Sequence, residues 1–178
     1  VLLSVAAHFP TVKYLDVGGG LGVVEKPSQL PLDLQAVDDI FADMKRANPN
    51  YEIWLEPGRF LVAQSGVVLA KVTQTKGKDD VKYLGIDAGM HTLIRPSLYG
   101  SYHEIKNLSR LEQDGQAIYT VVGPICESGD TLGHDRFLPL SEEGDVVVIG
   151  TAGAYGRTMS SDYNMRGLPE EFFIGDDG

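Results

Sequence analysis

Residues 14–22 read Tyr-Leu-Asp-Val-Gly-Gly-Gly-Leu-Gly, a short apolar strand that runs directly into a glycine loop. Apolar residues then recur at helical spacing over residues 33–47, and Asn48-Pro49-Asn50 ends this pattern before a second apolar strand at residues 51–55. Strand, loop, helix and strand in this order indicate a parallel α/β unit. Two strands and one helix cannot cover both faces of a parallel sheet, so we expect residues 1–62 to be the last strands of a larger sheet or barrel.

After residue 62 the pattern changes to strands without helices between them. Four segments show the alternation or the apolar run of a β-strand: residues 67–74, 81–87, 118–122 and 146–149. Residues 76–80 predict a hairpin turn. Strands at this spacing predict an antiparallel sheet or barrel. We therefore expect an incomplete α/β domain at residues 1–62 and an all-β barrel domain at residues 63–178.

Charge and composition exclude several classes of function. The net charge of −10 argues against nucleic acid as a partner, because phosphates favour a basic surface. The longest apolar runs, such as residues 146–149, are far too short to span a membrane. Cys126 is the single cysteine, which excludes an internal disulfide and a cysteine-cluster metal site and suits a reducing, cytoplasmic location.

Two motifs follow the two predicted parallel strands. The glycine loop at residues 18–22 follows the first strand, and Glu56-Pro57-Gly58-Arg59 follows the second. In a parallel barrel both would lie at the same rim, where glycine backbone N–H groups and an arginine can bind an anion. A flexible glycine turn and a local Glu56–Arg59 ion pair are the simpler alternatives.

The β segment carries further candidate groups. Arg95 and Tyr99 stand in a predicted loop, where they would bind a carboxylate or be solvated. Cys126 and Glu127 stand in a turn bounded by glycines, which favours an exposed, reactive thiol over a small buried side chain. Tyr155 follows a strand, and each of these features is ordinary by itself.

Taken in order, the motifs resemble the pyridoxal-phosphate-dependent decarboxylases that have an alanine-racemase-type barrel. The matching motifs are GGGLG at 18–22, EPGR at 56–59, DAGM at 87–90, RPSLYG at 95–100, GPICESGD at 123–130, and GAYG at 153–156 with SSDYNMRG at 160–167. The resemblance implies the end of a (β/α)8-type barrel followed by a C-terminal β-barrel domain. It also implies pyridoxal 5'-phosphate as the cofactor, an amino acid as the substrate and a homodimer whose sites are shared across the interface.

The resemblance assigns the cofactor contacts. The backbone at Gly19 and Gly20 would hold the cofactor phosphate, with Gly58 and Arg59 nearby. Glu56 would face the pyridine nitrogen and hold its proton, which makes the ring an electron sink.

It also assigns the substrate contacts. Four residues would hold the amino acid: Arg59, Arg95, Tyr99 and Tyr155, the last of which would also contact the cofactor. Glu127 would bind a distal ammonium group, and Cys126 would be the acid that protonates the α-carbon after CO2 has left.

The side chains also bear on the substrate. The stretch from Arg95 to Tyr99 resembles a clamp for a second carboxylate, and Glu127 rather than Asp agrees with it. This favours the branch of the family that converts meso-diaminopimelate to L-lysine and CO2 in lysine biosynthesis. An ornithine- or arginine-type decarboxylase, and a non-catalytic homologue that binds or regulates a partner, remain open.

The sequence departs from the family in two places. None of its lysines stands in a motif like Tyr-Ala-Val-Lys-Ala-Asn, which carries the lysine that binds the cofactor covalently. We therefore expect this chain to be the C-terminal part of a longer enzyme and to be inactive by itself. Val23-Val24-Glu25 also differs from the usual residue types after the glycine loop, beside the expected phosphate site.

Overall fold

A computed structural model describes residues 1–78 and 81–175, and the chain divides into two compact units, Val1–Leu61 and Val62–Gly178. Within the described ranges, no helix is long and apolar enough to cross a membrane. The same ranges contain no group of three or more His, Cys, Asp or Glu side chains that could hold a metal ion.

The first unit contains a small parallel sheet with helices. Its elements in chain order are α1 (Leu2–Ala6), β1 (Tyr14–Asp16), α2 (Leu34–Ala47), β2 (Glu52–Trp54) and α3 (Gly58–Val62), which ends just beyond the unit. Strands β1 and β2 are parallel, with Leu15 opposite Ile53. The predicted strands and their parallel pairing are confirmed, whereas their place in a larger barrel stays a prediction.

Local chemistry sets the bounds of α2. The Asp33 carboxylate accepts a hydrogen bond from the Ala36 N–H at 3.0 Å and caps the start of the helix. Lys45 and Arg46 lie in the last turn, where positive charge is favoured, and the Asn48 side chain donates to the Met44 carbonyl. The predicted helix over residues 33–47 is confirmed.

The second unit is a six-stranded sheet. Its strands are β3 (Val68–Lys78), β4 (Val81–Ile86), β5 (Ile105–Asn107), β6 (Ala117–Val122), β7 (Thr131–Leu138) and β8 (Val146–Ile149), in the spatial order β5-β8-β3-β4-β6-β7. The end strands β5 and β7 contact each other, so the sheet closes most of the way into a barrel. Short helices interrupt the strands: α4 (Arg95–Tyr99) and three 3-10 turns at Ala63–Ser65, Leu108–Arg110 and Tyr163–Met165.

The sheet differs from the sequence prediction in two respects. The expected antiparallel sheet is mixed, because β4 and β6 run parallel and are joined by a long crossover through α4 and β5. The sequence also missed β5 and β7. The first has only three residues, and Asp135 has a φ of 54° within β7, which interrupts the alternation. Of the hairpin turn predicted at residues 76–80, residues 76–78 belong to β3, and residues 79–80 lie outside the described residues.

The core lies inside this sheet. Buried apolar side chains come from every one of the strands β3–β8 and from the segments that connect them. The largest fully buried ones are Leu84, Ile86, Leu93, Leu132, Ile149, Val72, Val121 and Val147. Helix α4, which begins with Arg95, and the loop that carries Cys126 connect strands around this core, and the segment that carries Tyr155 follows β8, so the sheet supports these three candidate site residues.

Candidate functional site

The glycine loop packs directly on the segment that follows β2. The Glu56 N–H donates to the Gly18 carbonyl at 2.9 Å, and the Gly58 N–H donates to the Glu56 carbonyl at 2.9 Å. A Cβ at Gly19 would lie 2.6 Å from the Glu56 carbonyl oxygen, so no side chain fits there without a shift of the backbone. Gly18 and Gly20 have φ values of 76° and 92°, in the left-handed region that favours glycine. The two motifs are therefore adjacent, as their places after parallel strands predict.

Arg59 has a different partner from the one that the sequence suggested. Its Nη1 donates to Glu25 Oε1 at 2.7 Å, and both side chains are partly buried. The simple alternative of a local Glu56–Arg59 ion pair is wrong, and the Glu56 side chain belongs to an exposed residue. The sequence does not predict the pair of Arg59 with Glu25, because no spacing rule links residues 34 positions apart.

Arg95, Tyr99 and Tyr155 come together in the second unit. Arg95 begins the one-turn helix α4 and is only 8% exposed, so the alternative of a solvated loop residue is wrong for Arg95. Its Cζ lies 5.9 Å from the centre of the Tyr99 ring and 5.8 Å from that of Tyr155. At these distances the two rings attract the cation. One Arg95 nitrogen donates to Ser101 Oγ at 3.1 Å, which helps to hold the guanidinium in this place.

A close backbone contact places Tyr155. The Ala152 N–H donates to the Gly66 carbonyl at 2.8 Å. A Cβ at Gly66 would lie 2.8 Å from the Gly153 Cα, so this approach requires glycine. Tyr155 itself has a φ of 64°, a strained conformation for a side chain of this size, and such strain often occurs at functional sites.

The turn that carries Cys126 and Glu127 is held by a buried carboxylate. Asp130 is 3% exposed, and its two oxygens accept from the Met90 N–H and the Ile125 N–H, each at 2.6 Å. Ser97 in α4 donates to the Gly129 carbonyl at 2.6 Å. The turn is therefore tied both to the loop after β4 and to the helix that begins with Arg95.

Cys126 and Glu127 are themselves exposed, which agrees with the predicted exposure of the thiol. Asn164 Nδ2 donates to Cys126 Sγ at 3.3 Å, and the Tyr163 hydroxyl donates to Glu127 Oε1. This hydrogen bond to the Glu127 carboxylate raises the pKa of Tyr163. The SSDYNMRG motif contains Tyr163 and Asn164, but the sequence predicts no role for them, because only the fold brings them to the turn of Cys126 and Glu127.

His91 is a second residue that the sequence did not single out. It is 5% exposed, its carbonyl accepts from the Ser161 N–H at 2.9 Å, and its Nε2 lies 3.3 Å from Thr92 Oγ1. Burial, and then the positive charge of Arg166, lower the pKa of His91, partly offset by Asp130. The ring is thus held in its neutral form beside the segment that carries Tyr163 and Asn164.

Comparison with known proteins identifies the class to which this fold and these motifs belong. The family model described as "Pyridoxal-dependent decarboxylase, C-terminal sheet domain" matches residues 16–153. The chain belongs to this family of pyridoxal-dependent decarboxylases, and the resemblance found in its motifs is confirmed.

Individual relatives narrow the class. The diaminopimelate decarboxylase of Archaeoglobus fulgidus is 38% identical over 170 residues, which cover 93% of this chain and 40% of the relative. That of Haemophilus influenzae is 40% identical over 167 residues, covering 94% of this chain and 40% of the relative. The chain therefore spans about 40% of the length of the curated relatives that it matches.

Solved structures agree with the sequence relatives. The diaminopimelate decarboxylase of Helicobacter pylori, complexed with L-lysine, superposes with a TM-score of 0.78 at 35% identity over 92% of this chain and 40% of that one. A crystal structure of AQ1208 from Aquifex aeolicus superposes with a TM-score of 0.83 at 38% identity over 93% of this chain and 41% of that one.

Proposed function

We propose that this chain acts as the C-terminal part of a pyridoxal-phosphate-dependent decarboxylase that converts meso-diaminopimelate to L-lysine and CO2. The observation that carries this proposal is the buried Arg95 between Tyr99 and Tyr155, tied through Ser97 to the turn of Cys126 and Glu127. The identity of 38% to 41% with diaminopimelate decarboxylases supports it. By itself the chain would be inactive, because none of its lysines stands in the motif of the cofactor-binding lysine.

The donor set of the first unit fits a pyridoxal phosphate. Backbone N–H groups at Gly19 and Gly20, with Gly58 and the Arg59 guanidinium, would hold the phosphate, since glycine leaves the backbone accessible to an anion. The exposed Glu56 carboxylate would accept a hydrogen bond from the protonated ring nitrogen and so keep the proton on the ring. When bound, the cofactor supplies an electron sink for the electron pair that remains on the α-carbon when CO2 leaves.

The residues of the second unit suit an amino acid with two carboxylates and two ammonium groups. A partly desolvated guanidinium binds a carboxylate more strongly than an exposed one, so Arg95 with Tyr99 would hold the distal carboxylate. Glu127 would bind the distal ammonium, Arg59 and Tyr155 would contact the substrate near the reacting carbon, and Cys126 would deliver a proton to that carbon.

We also propose that the assembled enzyme is a cytoplasmic homodimer. The turn of Cys126 and Glu127 is exposed although its ends are firmly held, which suits a segment that enters the site of a partner subunit. Residues 1–62 would be the end of the cofactor-binding (β/α)8-type barrel, and residues 63–178 would be the β-barrel domain.

The rival decarboxylases are supported less well. Lysine/ornithine decarboxylase from Vibrio vulnificus superposes with a TM-score of 0.76, but its identity of 23% shows a shared fold alone. Ornithine and arginine have no distal carboxylate, so the buried guanidinium of Arg95 would lack the group that it is proposed to bind. A non-catalytic homologue would have no use for the combination of Arg95, Cys126 and Glu127.

The test is a fusion that supplies the part of the Haemophilus influenzae relative that this chain does not cover, placed ahead of Val1. We expect CO2 release from meso-diaminopimelate and at least hundredfold less from ornithine or arginine. Arg95→Gln should raise the KM for meso-diaminopimelate, whereas Asn50→Asp, an exposed change in the first unit, should leave the kinetics unchanged. Absence of CO2 release by a folded fusion that binds pyridoxal phosphate would contradict the proposal.

A further inference from the structure

The two exposed side chains of the 126–127 turn are both engaged by one short segment. Asn164 donates to the Cys126 sulfur at 3.3 Å, and Tyr163 donates to the Glu127 carboxylate. Adjacent residues of one segment thus contact adjacent residues of the turn, about 36 positions away in the chain. We call residues 160–166 the clamp segment.

The backbone of the clamp segment is shaped for these contacts. Asn164 and Met165 have φ values of 56° and 57°, both in the left-handed region. Asn occupies this region more readily than most residues, whereas Met in it is strained. The Met165 N–H donates to the Asp162 carbonyl at 2.7 Å, and the Ser161 N–H donates to the buried His91 at 2.9 Å. The segment is therefore anchored, and two unusual residues in succession turn the Asn164 amide toward the thiol.

We infer that Tyr163 and Asn164 are positioning residues that orient Glu127 and Cys126 for their roles in the proposed decarboxylation. This inference rests on the proposed function for its chemistry, but the contacts themselves do not depend on it. The order of the motifs along the chain does not imply these two roles, in which Asn164 acts on the acid Cys126 and Tyr163 acts on the ammonium site at Glu127.

Asn164 would act on proton transfer. Its amide donates to the sulfur, so the thiol hydrogen has to point away from Asn164 and is free to face another group. The proton passes from Sγ to the substrate α-carbon: the S–H bond breaks, and a C–H bond forms with the electron pair that CO2 left behind. The remaining thiolate is stabilised by the Asn164 N–H until it regains a proton from water.

Tyr163 would act on binding instead. Its hydroxyl donates to one Glu127 oxygen, which leaves the second oxygen available to accept from a substrate ammonium group. The raised pKa of Tyr163 keeps the phenol protonated, so its hydroxyl remains a hydrogen-bond donor at neutral and mildly alkaline pH.

The first experiment measures alkylation of the thiol in the 178-residue chain, in which Cys126 is the only cysteine. Asn164→Asp keeps the shape and the left-handed backbone but replaces the donor by a carboxylate. We expect iodoacetamide to react roughly threefold to tenfold more slowly at pH 7, and at the wild-type rate at pH 10, where deprotonation no longer limits the reaction. Asn50→Asp is the control for the change in net charge and should match the wild type at both pH values, and Asn164→Gly, which removes the donor without adding a charge, should also react more slowly at pH 7.

The contrary results are equally specific. Wild-type rates for Asn164→Asp at pH 7 would overturn the inference, and so would an equal change at pH 7 and pH 10, which indicates altered access rather than a lost donor. If Asn164→Asp fails to fold, Asn164→Gly keeps the backbone conformation and also lacks the donor, so it must show slower alkylation at pH 7.

The second experiment uses the fusion described above. We expect Asn164→Asp to lower kcat about tenfold with little change in KM, and Tyr163→Phe to raise KM about fivefold with little change in kcat. Equal effects of both variants on kcat and KM would overturn the division of roles. An inactive wild-type fusion would contradict the proposed function alone, because the alkylation rates test the positioning contacts without any turnover.

Discussion

The two units of this chain use similar apolar patterns with opposite results. In the first unit, all of which is described, Ala6 and Leu15 are the only buried residues. The apolar positions of α2 remain exposed or half-buried, with Leu34 at 53% and Ile40 at 65% exposure. In the second unit every strand from β3 to β8 contributes to one continuous core.

This difference between the units shows that a helix can form without full burial of its apolar side chains. Capping by Asp33 and periodic apolar residues are enough to define α2, although its unit covers the apolar face of this helix only in part. A strand such as β6 alternates in the same way, but its Ala117, Tyr119 and Val121 are enclosed by neighbouring strands. The stabilising effect of an apolar side chain thus depends on its neighbours and not on its pattern.

The largest expected effect tests this contrast directly. Leu132 is 0% exposed, so Leu132→Ala should lower the free energy of unfolding by about 2–5 kcal/mol through lost contacts and a cavity. Leu34→Ala, the matched change at an exposed position, should alter it by less than about 0.5 kcal/mol. Urea unfolding followed by circular dichroism measures both, and similar losses would show that Leu34 is buried in solution.

A smaller effect is expected where the first unit does have close packing. Gly19→Ala places a Cβ 2.6 Å from the Glu56 carbonyl, so the glycine loop has to move. The affinity of the fusion for pyridoxal phosphate should fall by about tenfold, equivalent to about 1.4 kcal/mol. Gly22→Ala is the control, because its added Cβ has no atom within 4 Å. Equal losses of affinity in the two variants would contradict the proposed phosphate site at Gly19 and Gly20.

The third prediction concerns acid sensitivity of the second unit. The folded-state pKa of His91 is lowered by burial and by Arg166, so the unfolded chain binds this proton more readily. Stability should therefore fall as the pH drops through the ordinary histidine pKa of about 6.5. His91→Gln should reduce this loss between pH 7.5 and pH 5.5, as measured by urea unfolding at several pH values. An unchanged slope would show that His91 already titrates normally in the folded protein.

The smallest effect is expected at the ion pair of the first unit. Glu25 forms an ion pair with the Arg59 guanidinium, which is proposed to bind the cofactor phosphate. Glu25→Gln should therefore strengthen the binding of pyridoxal phosphate by the fusion. Partly exposed pairs are worth about 0.2–1 kcal/mol, which limits the gain to about fivefold, and the gain should shrink with added salt. Glu52→Gln removes the same charge from an exposed strand position and should have less effect, whereas equal gains would indicate a general charge effect.

Much of the candidate site could be predicted because its residues lie close to sequence signals. Glycines after one strand and Glu56-Pro57-Gly58-Arg59 after the next must meet when the strands are parallel, and the hydrogen bond from Glu56 to Gly18 shows that they do. The exposure of Cys126 likewise follows from a turn bounded by glycines. The roles of these residues remain proposals.

Other parts could not be predicted because they join distant segments. The Arg59–Glu25 pair, the burial of Arg95 and the contacts of Tyr163 and Asn164 have no periodicity or fixed spacing. The parallel pairing of β4 with β6 could not be predicted from the sequence either, because a long connection can return a strand in either direction.

The sequence by itself determined where the long helix α2 and most strands lie and which family the chain belongs to, and it supplied the candidate site residues. These depend on local propensity and on the order of short motifs, both of which are present in the unfolded chain. Only the tertiary structure decided which apolar residues form a core and which charged groups are paired, because burial and ion pairing depend on what the folded chain brings within a few ångströms.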